Sequence, residues 1–215
     1  APIKRAPKVR NIRYACRKDS YIFKYYRELL SEKYEEFLAA NKLDSSVLAY
    51  RRIPVGGASR AHKSNIEFAK DAFDEIDRLG RCCAVSIVIS DFFGSMSHAQ
   101  IKNTWKRLLS ESELPSDHFA VFRALTRFHY VDRDEAYVAL GYSERTKSGV
   151  LRYKNSPKKI PRQICSNNQF REAIVANGLV NSGEGSAIGK GIPQGVPLSD
   201  LIANAYLSDF DVCMR

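Results

Sequence analysis

The sequence is short of everything that would build a metal-stapled or membrane-bound protein. Its five cysteines, Cys16, Cys82, Cys83, Cys165 and Cys213, form no C-x-x-C pair, and the four histidines do not cluster with them. An odd count without ligand spacing argues against a disulfide framework or a zinc site, and for reduced thiols. No apolar run approaches the roughly 20 residues of a membrane-spanning helix, and the basic N-terminus leads into no signal-peptide core. The expected compartment is the cytoplasm, with no membrane partner. Internal repeats and low-complexity linkers are also missing, so nothing in the composition forces a domain boundary.

What is present is positive charge. Lys+Arg number 34 against 24 Asp+Glu, a net +10 over 215 residues. Residues 1–18 hold Lys4, Arg5, Lys8, Arg10, Arg13, Arg17 and Lys18 with no acid, which is +7. Residues 141–163 hold seven basic residues against Glu144 alone, which leaves the rest of the chain at −3. Two basic stretches on a near-neutral body suit a polyanion, most simply nucleic acid phosphate. Solvated tails are also often basic, so charge alone leaves both readings open.

Helical periodicity is the clearest pattern. From Ser20 to about Asn41, Ile22, Tyr26, Leu29, Leu30, Phe37 and Leu38 share one face. Ser64 with Glu67, and Ser97 with Gln100, read as capping boxes ahead of helices bearing Ile66, Phe73 and Ile76, and Ile101, Trp105 and Leu108. Further helices are predicted over 116–130, 168–177 and 198–213. The run Cys83–Asp91, CAVSIVISD, is β-branched and apolar on both faces, which predicts a central strand packed under helices. The basic stretch 137–163, with Gly141, Gly149, Pro157 and Pro161, fits a hairpin or a mobile loop.

Two glycine-bearing segments could carry chemistry. Gly183–Lys190 is not a P-loop: Glu184 stands where the first glycine belongs, and Gly191 where Ser or Thr would hold Mg²⁺. The stretch that follows, Gly191-Ile-Pro-Gln-Gly-Val-Pro-Leu-Ser199, is a rigid loop opening onto an apolar helix. Such a loop can bring Gln194 and backbone N–H groups close to a ligand. The plainer reading of the same residues is a loop capped by Ser199.

GIPQGVPLSDLIANAYL (191–207) closely resembles motif B of reverse transcriptases, and SIVISDFFGSMSH (86–98) resembles their motif A, Asp-Ile-x-x-Phe-Phe-x-Ser-Ile-x-His. VLAYRRIP (47–54) and the helix over 65–79 look like the fingers of bacterial retron-like and phage-defence members. The resemblance covers residues 45–215. It implies an α/β (α+β) fold, the fingers and first half of the palm of a right-hand polymerase, helix-rich with a small sheet. Residues 1–18 would be a basic N-terminal segment, 19–82 a fingers-like helical region and 83–215 a partial palm, with a basic insertion at 137–163. The implied activity is RNA-templated DNA synthesis by two-metal nucleotidyl transfer. Mg²⁺ is the implied cofactor, deoxynucleotides the substrates, and an RNA template and DNA primer the partners. A noncoding RNA or protein partner and a role in antiviral defence belong to the same expectation.

By that resemblance Gln194 and Gly195 lie beside the incoming nucleotide, and Phe93 is the steric gate, a ring under the sugar that excludes a 2′-hydroxyl. One of Phe92 and Phe93 is expected to be core packing. Arg51, Arg52 and Lys63 would contact triphosphate or template, or be ordinary surface cations. Two departures stand out. Two-metal transfer needs carboxylates around ions roughly 3.5–4 Å apart, yet aligning the aromatic pair puts Val88 at the motif A aspartate position. Asp91 is a poor substitute if 88 and 91 lie on one strand, because they would face opposite ways. The other two family aspartates come from a Tyr-x-Asp-Asp hairpin, and these 215 residues contain none. With Ala1 in place of an initiator Met, the expectation is a trimmed chain that does not polymerise alone. The rival readings are a catalytically degenerate nucleic-acid-binding or scaffold subunit, and an unrelated helical RNA-binding protein.

Overall fold

A computed structural model describes residues 10–56, 61–183 and 185–214. Lys4, Arg5 and Lys8 of the basic N-terminal stretch, and Glu184 of the glycine-rich segment, lie outside the described residues.

Four helices make the core. Helix α1 (Arg17–Ala40) buries Phe23, Leu30, Tyr34 and Leu38, one stripe at helical spacing. α2 (Asn65–Leu79) and a single turn, α3 (Phe92–Ser95), precede α4 (His98–Leu109), which turns Ile101, Thr104, Trp105 and Leu108 inward. α5 (Ser116–Thr126) contributes Val121, Phe122 and Leu125. The later helix over 199–206 is buried almost all round, through Leu201, Ile202, Ala203 and Ala205. Leu30, Tyr34, Leu38, Trp105, Leu125 and Leu198 are each 0% exposed, and a fully buried side chain of this size contributes about 1.5–3 kcal/mol. Polar ties fix the packing. Trp105 Nε1 donates to His118 Nδ1 at 3.1 Å inside the core, and Arg27 grips both carboxylate oxygens of Asp200 at 3.1 Å.

The remaining elements are short. β1 (His129–Val131) is followed by α6 (Arg133–Ala139), β2 (Ser143–Arg145) and β3 (Leu151–Tyr153). A helical turn, α7 (Asn167–Gln169), widens into a π-helix over Phe170–Val175, and β4 (Val180–Ser182) precedes α8 (Ser199–Tyr206) and α9 (Ser208–Met214). β1 pairs antiparallel with β4, His129 opposite Ser182. β2 pairs antiparallel with β3, Glu144 opposite Arg152, so the basic stretch is a hairpin. The protein is thus helix-rich with small antiparallel sheets, an α+β composition. No helix among the described residues is long and apolar enough to cross a membrane.

Several expectations are corrected. Residues 82–89 form no strand and join no sheet among the described residues, and Val85, Ile87 and Val88 are each more than 75% exposed. Apolar β-branched composition states what a segment can pair with; a strand exists only where another backbone meets its N–H and C=O groups. Helix α2 forms with the full Ser64–Glu67 capping box, yet buries no residue, leaving Ile66, Phe73 and Leu79 exposed. Its cap and the Arg78–Glu75 and Lys70–Asp74 pairs hold it locally. At α4 only half the capping box closes. The Ser97 hydroxyl accepts from Gln100 N, but the Gln100 amide donates to Asp209 and the Tyr206 hydroxyl takes the Ser97 N–H instead. The helix predicted over 116–130 ends at Thr126, where the chain turns into β1.

Candidate functional site

The segments 86–98 and 191–207, far apart in sequence, are stitched into one unit. The backbone N–H groups of Gly191 and Ile192 donate to Met96 O and Phe93 O, each at 2.9 Å, and His98 N donates to Gly189 O at 2.8 Å. His98 Nε2 sits 2.7 Å from Gly191 O; a carbonyl only accepts, so Nε2 carries the proton. On the other side of the loop the buried Ser199 hydroxyl donates to Pro193 O at 2.6 Å. Leu198, not Ser199, occupies the N-cap position of α8. Ser199 therefore braces the Pro193–Gln194 peptide from inside the first turn, rather than capping the helix. Two prolines, these bonds and the positive φ of Gly191 and Gly195 fix the loop's shape.

Between the two segments lies a cavity of about 770 Å³. Val88, Asp91, Phe92 and Phe93 line one wall and Pro193 and Gln194 another, with Tyr50 and Phe128 beside them and Arg10, Asn11 and Arg13 on the N-terminal side. Phe92 and Phe93 both pack against the core and both line the cavity, Phe92 edge-on to Tyr206 at 6.0 Å. Phe93 is tilted 59° to Phe92 and half-buried.

Asp91 departs from the strand geometry that separated it from Val88. Its backbone is left-handed, φ +45, ψ +49, at the N-cap of α3, a conformation that Asp tolerates better than most residues. The turn breaks the alternation of a strand, and Val88 and Asp91 line the same cavity. Gly94 leaves room for the Asp91 carboxylate, which a Cβ there would push aside.

Gly195 is placed differently from the expectation. Its bare Cα faces the N-terminal segment, where a Cβ would come 2.8 Å from Ile12 Cγ2 and 2.9 Å from Arg13 O. Gln194 faces the cavity; Gly195 is the seat of the strap formed by residues 10–13. Arg51 lies elsewhere, beside a second cavity of about 360 Å³. Its guanidinium is filled by Glu35, at 2.9 and 2.6 Å, and by the carbonyls of Asp44 and Val47, and the Glu35 hydrogen bonds push its pKa up. Arg52 pairs with Glu28 at 3.6 Å and Lys63 with Asp71 at 2.5 Å.

The donor set does not fit a pair of Mg²⁺ ions. Asp91 is the one carboxylate among the residues lining the cavity, and no group of three or more His, Cys, Asp or Glu converges among the described residues. Hard divalent ions need several oxygen ligands, and Val88 offers none. Arg10, Arg13 and Phe128 also line the cavity but lie outside the motif segments; the arginines belong to the basic stretch, and Tyr50 lies within VLAYRRIP.

No protein-family model and no curated protein matches the chain.

Proposed function

We propose that this chain is a reverse-transcriptase-like domain, the fingers and first half of a palm, whose cavity seats an incoming deoxynucleotide in a protein that copies RNA into DNA. One observation carries the reading. The two segments that resemble motifs A and B converge on one cavity, with Phe93 on one wall and Gln194 on the other. In this role the Phe93 ring lies under the sugar and leaves no room for a 2′-hydroxyl, and Gln194, held by the Ser199–Pro193 brace, contacts the nucleotide. The exposed cations of the hairpin region, Lys147, Arg152, Lys154 and Lys158 among them, supply phosphate contacts for a template.

Phe93→Ala tests the assignment through binding alone. Affinities for dUTP and UTP, which differ only at the 2′ position, measured by calorimetry in Mg²⁺ buffer, should converge by roughly tenfold in the variant, since the gate acts by excluding one small group. An unchanged ratio of the two affinities would remove Phe93 from the site.

A second reading is favoured by Val88 and the lone Asp91: a degenerate polymerase domain that grips nucleic acid or a partner subunit without catalysis. Primer extension on RNA by the full-length protein that carries this domain separates the two. Incorporation of deoxynucleotides excludes the degenerate reading, whereas tight capture of the primed RNA without incorporation supports it.

A further inference from the structure

We propose that residues 10–13 are a working part of the cavity, with Arg10 and Arg13 taking the phosphates of a nucleoside triphosphate seated against Phe93 and Gln194. The inference rests on the nucleotide reading above and names groups that neither sequence motif contains.

The strap is held in place at three points. The Arg13 N–H donates to Gln194 O at 2.7 Å. Gly195, at φ +108, leaves the space that Ile12 and the Arg13 backbone fill. The Arg13 guanidinium lies 3.6 Å over the ring of Tyr130 in β1, a cation–π contact that holds the side chain without neutralising it. Segment 10–13 is thereby registered against the same Gln194 that faces the cavity.

Charge gives the strap its chemistry. Arg10 and Arg13 are the cations lining the cavity and Asp91 is its carboxylate, so the lining is net positive. Neither arginine has an ion pair among the described residues, in contrast to Arg27, Arg51, Arg107, Arg133 and Arg145, each matched to a carboxylate. A net positive cavity with one carboxylate collects anions rather than metal ions. Guanidinium groups suit the task because they stay charged and present paired N–H donors to phosphate oxygens. A triphosphate spreads its charge over three phosphoryl groups and can span two separate guanidinium groups, whereas a monophosphate presents a single phosphoryl group.

The test compares dTTP with dTMP binding by the full chain, by calorimetry at two salt concentrations, for the unsubstituted protein, Arg10→Ala and Arg10→Ala/Arg13→Ala. Arg10 is exposed, so the single variant remains informative if the double one is unstable. The preference for dTTP over dTMP should fall about tenfold in the single variant and on the order of 100-fold in the double, the usual loss for charge-assisted hydrogen bonds, with a flatter salt dependence. A preference that survives both substitutions would overturn the inference while leaving the nucleotide reading intact. Failure of the unsubstituted chain to bind dTTP would bring down that reading and this inference with it.

Discussion

Replacing Gly195 by Ala tests how the strap is held, and the structure supplies its own control. Gly195 has φ +108, and an added Cβ would meet Ile12 Cγ2 at 2.8 Å and the Arg13 carbonyl at 2.9 Å. A side chain in the left-handed region costs about 1–2 kcal/mol. The collision with a backbone atom then forces the strap away and breaks the Arg13–Gln194 hydrogen bond, about 1 kcal/mol more. The sum is about 2–3 kcal/mol. Gly189 has φ +73 with nothing within 4 Å of a built Cβ, so Gly189→Ala carries the backbone strain alone, about 1–2 kcal/mol. Urea unfolding of the two variants isolates the strap's share by difference. Limited trypsinolysis reads the same event locally, because released arginines become cleavable in proportion to the open population. Gly195→Ala should be the less stable variant and should be cut faster after Arg10 and Arg13. Equal stabilities with unchanged cleavage would refute the seating of residues 10–13 on the loop.

Two further predictions address the metal deficit and the core. Val88→Asp places a second carboxylate in the lining beside Asp91, and Mn²⁺ binding, followed by electron paramagnetic resonance, should strengthen by roughly tenfold; unchanged affinity would mean that the two positions do not share an ion. Tyr26 donates to Asp117 at 2.8 Å, and burial followed by this hydrogen bond pushes the Tyr26 phenol up to about 12. The folded state then holds the proton more tightly than the unfolded chain, so this contribution is present below about pH 10 and is lost as pH rises through about 12. Tyr34, pushed up to about 12 chiefly by burial, acts in the same direction. Tyr26→Phe should therefore reduce, without abolishing, the loss of urea stability between those pH values, and an identical pH profile would contradict the assignment.

The helices were legible because their determinants are local. A cap at Ser64 and the helical spacing from Ser20 to Asn41 are written within a few turns of the chain that uses them, though the buried stripe of α1 includes Phe23 and Tyr34, while Ile22 and Leu29 of the expected face are exposed. The run 83–91 was misread for the opposite reason: its composition is that of a buried strand, but pairing is decided by segments distant in sequence. The turn at Asp91 was equally hidden, since composition alone does not show that Asp91 adopts a left-handed backbone at the start of α3. Phe93 and Gln194, which the motif resemblance singles out, both line the cavity. Arg51 was out of reach, because only the fold brings Glu35 to it. The role of Gly195 was hidden too: its need for a bare Cα comes from Ile12 and Arg13, residues that no local pattern connects to it.

The central claim is that the cavity between the two motif segments holds a deoxynucleotide. Photocrosslinking with 8-azido-dATP, followed by peptide mapping with and without competing dATP, tests it most directly. The account predicts competable labelling confined to the cavity lining, within residues 10–13, 88–94 and 191–194 and on Tyr50 and Phe128. Labelling elsewhere, or labelling that dATP does not displace, would contradict it.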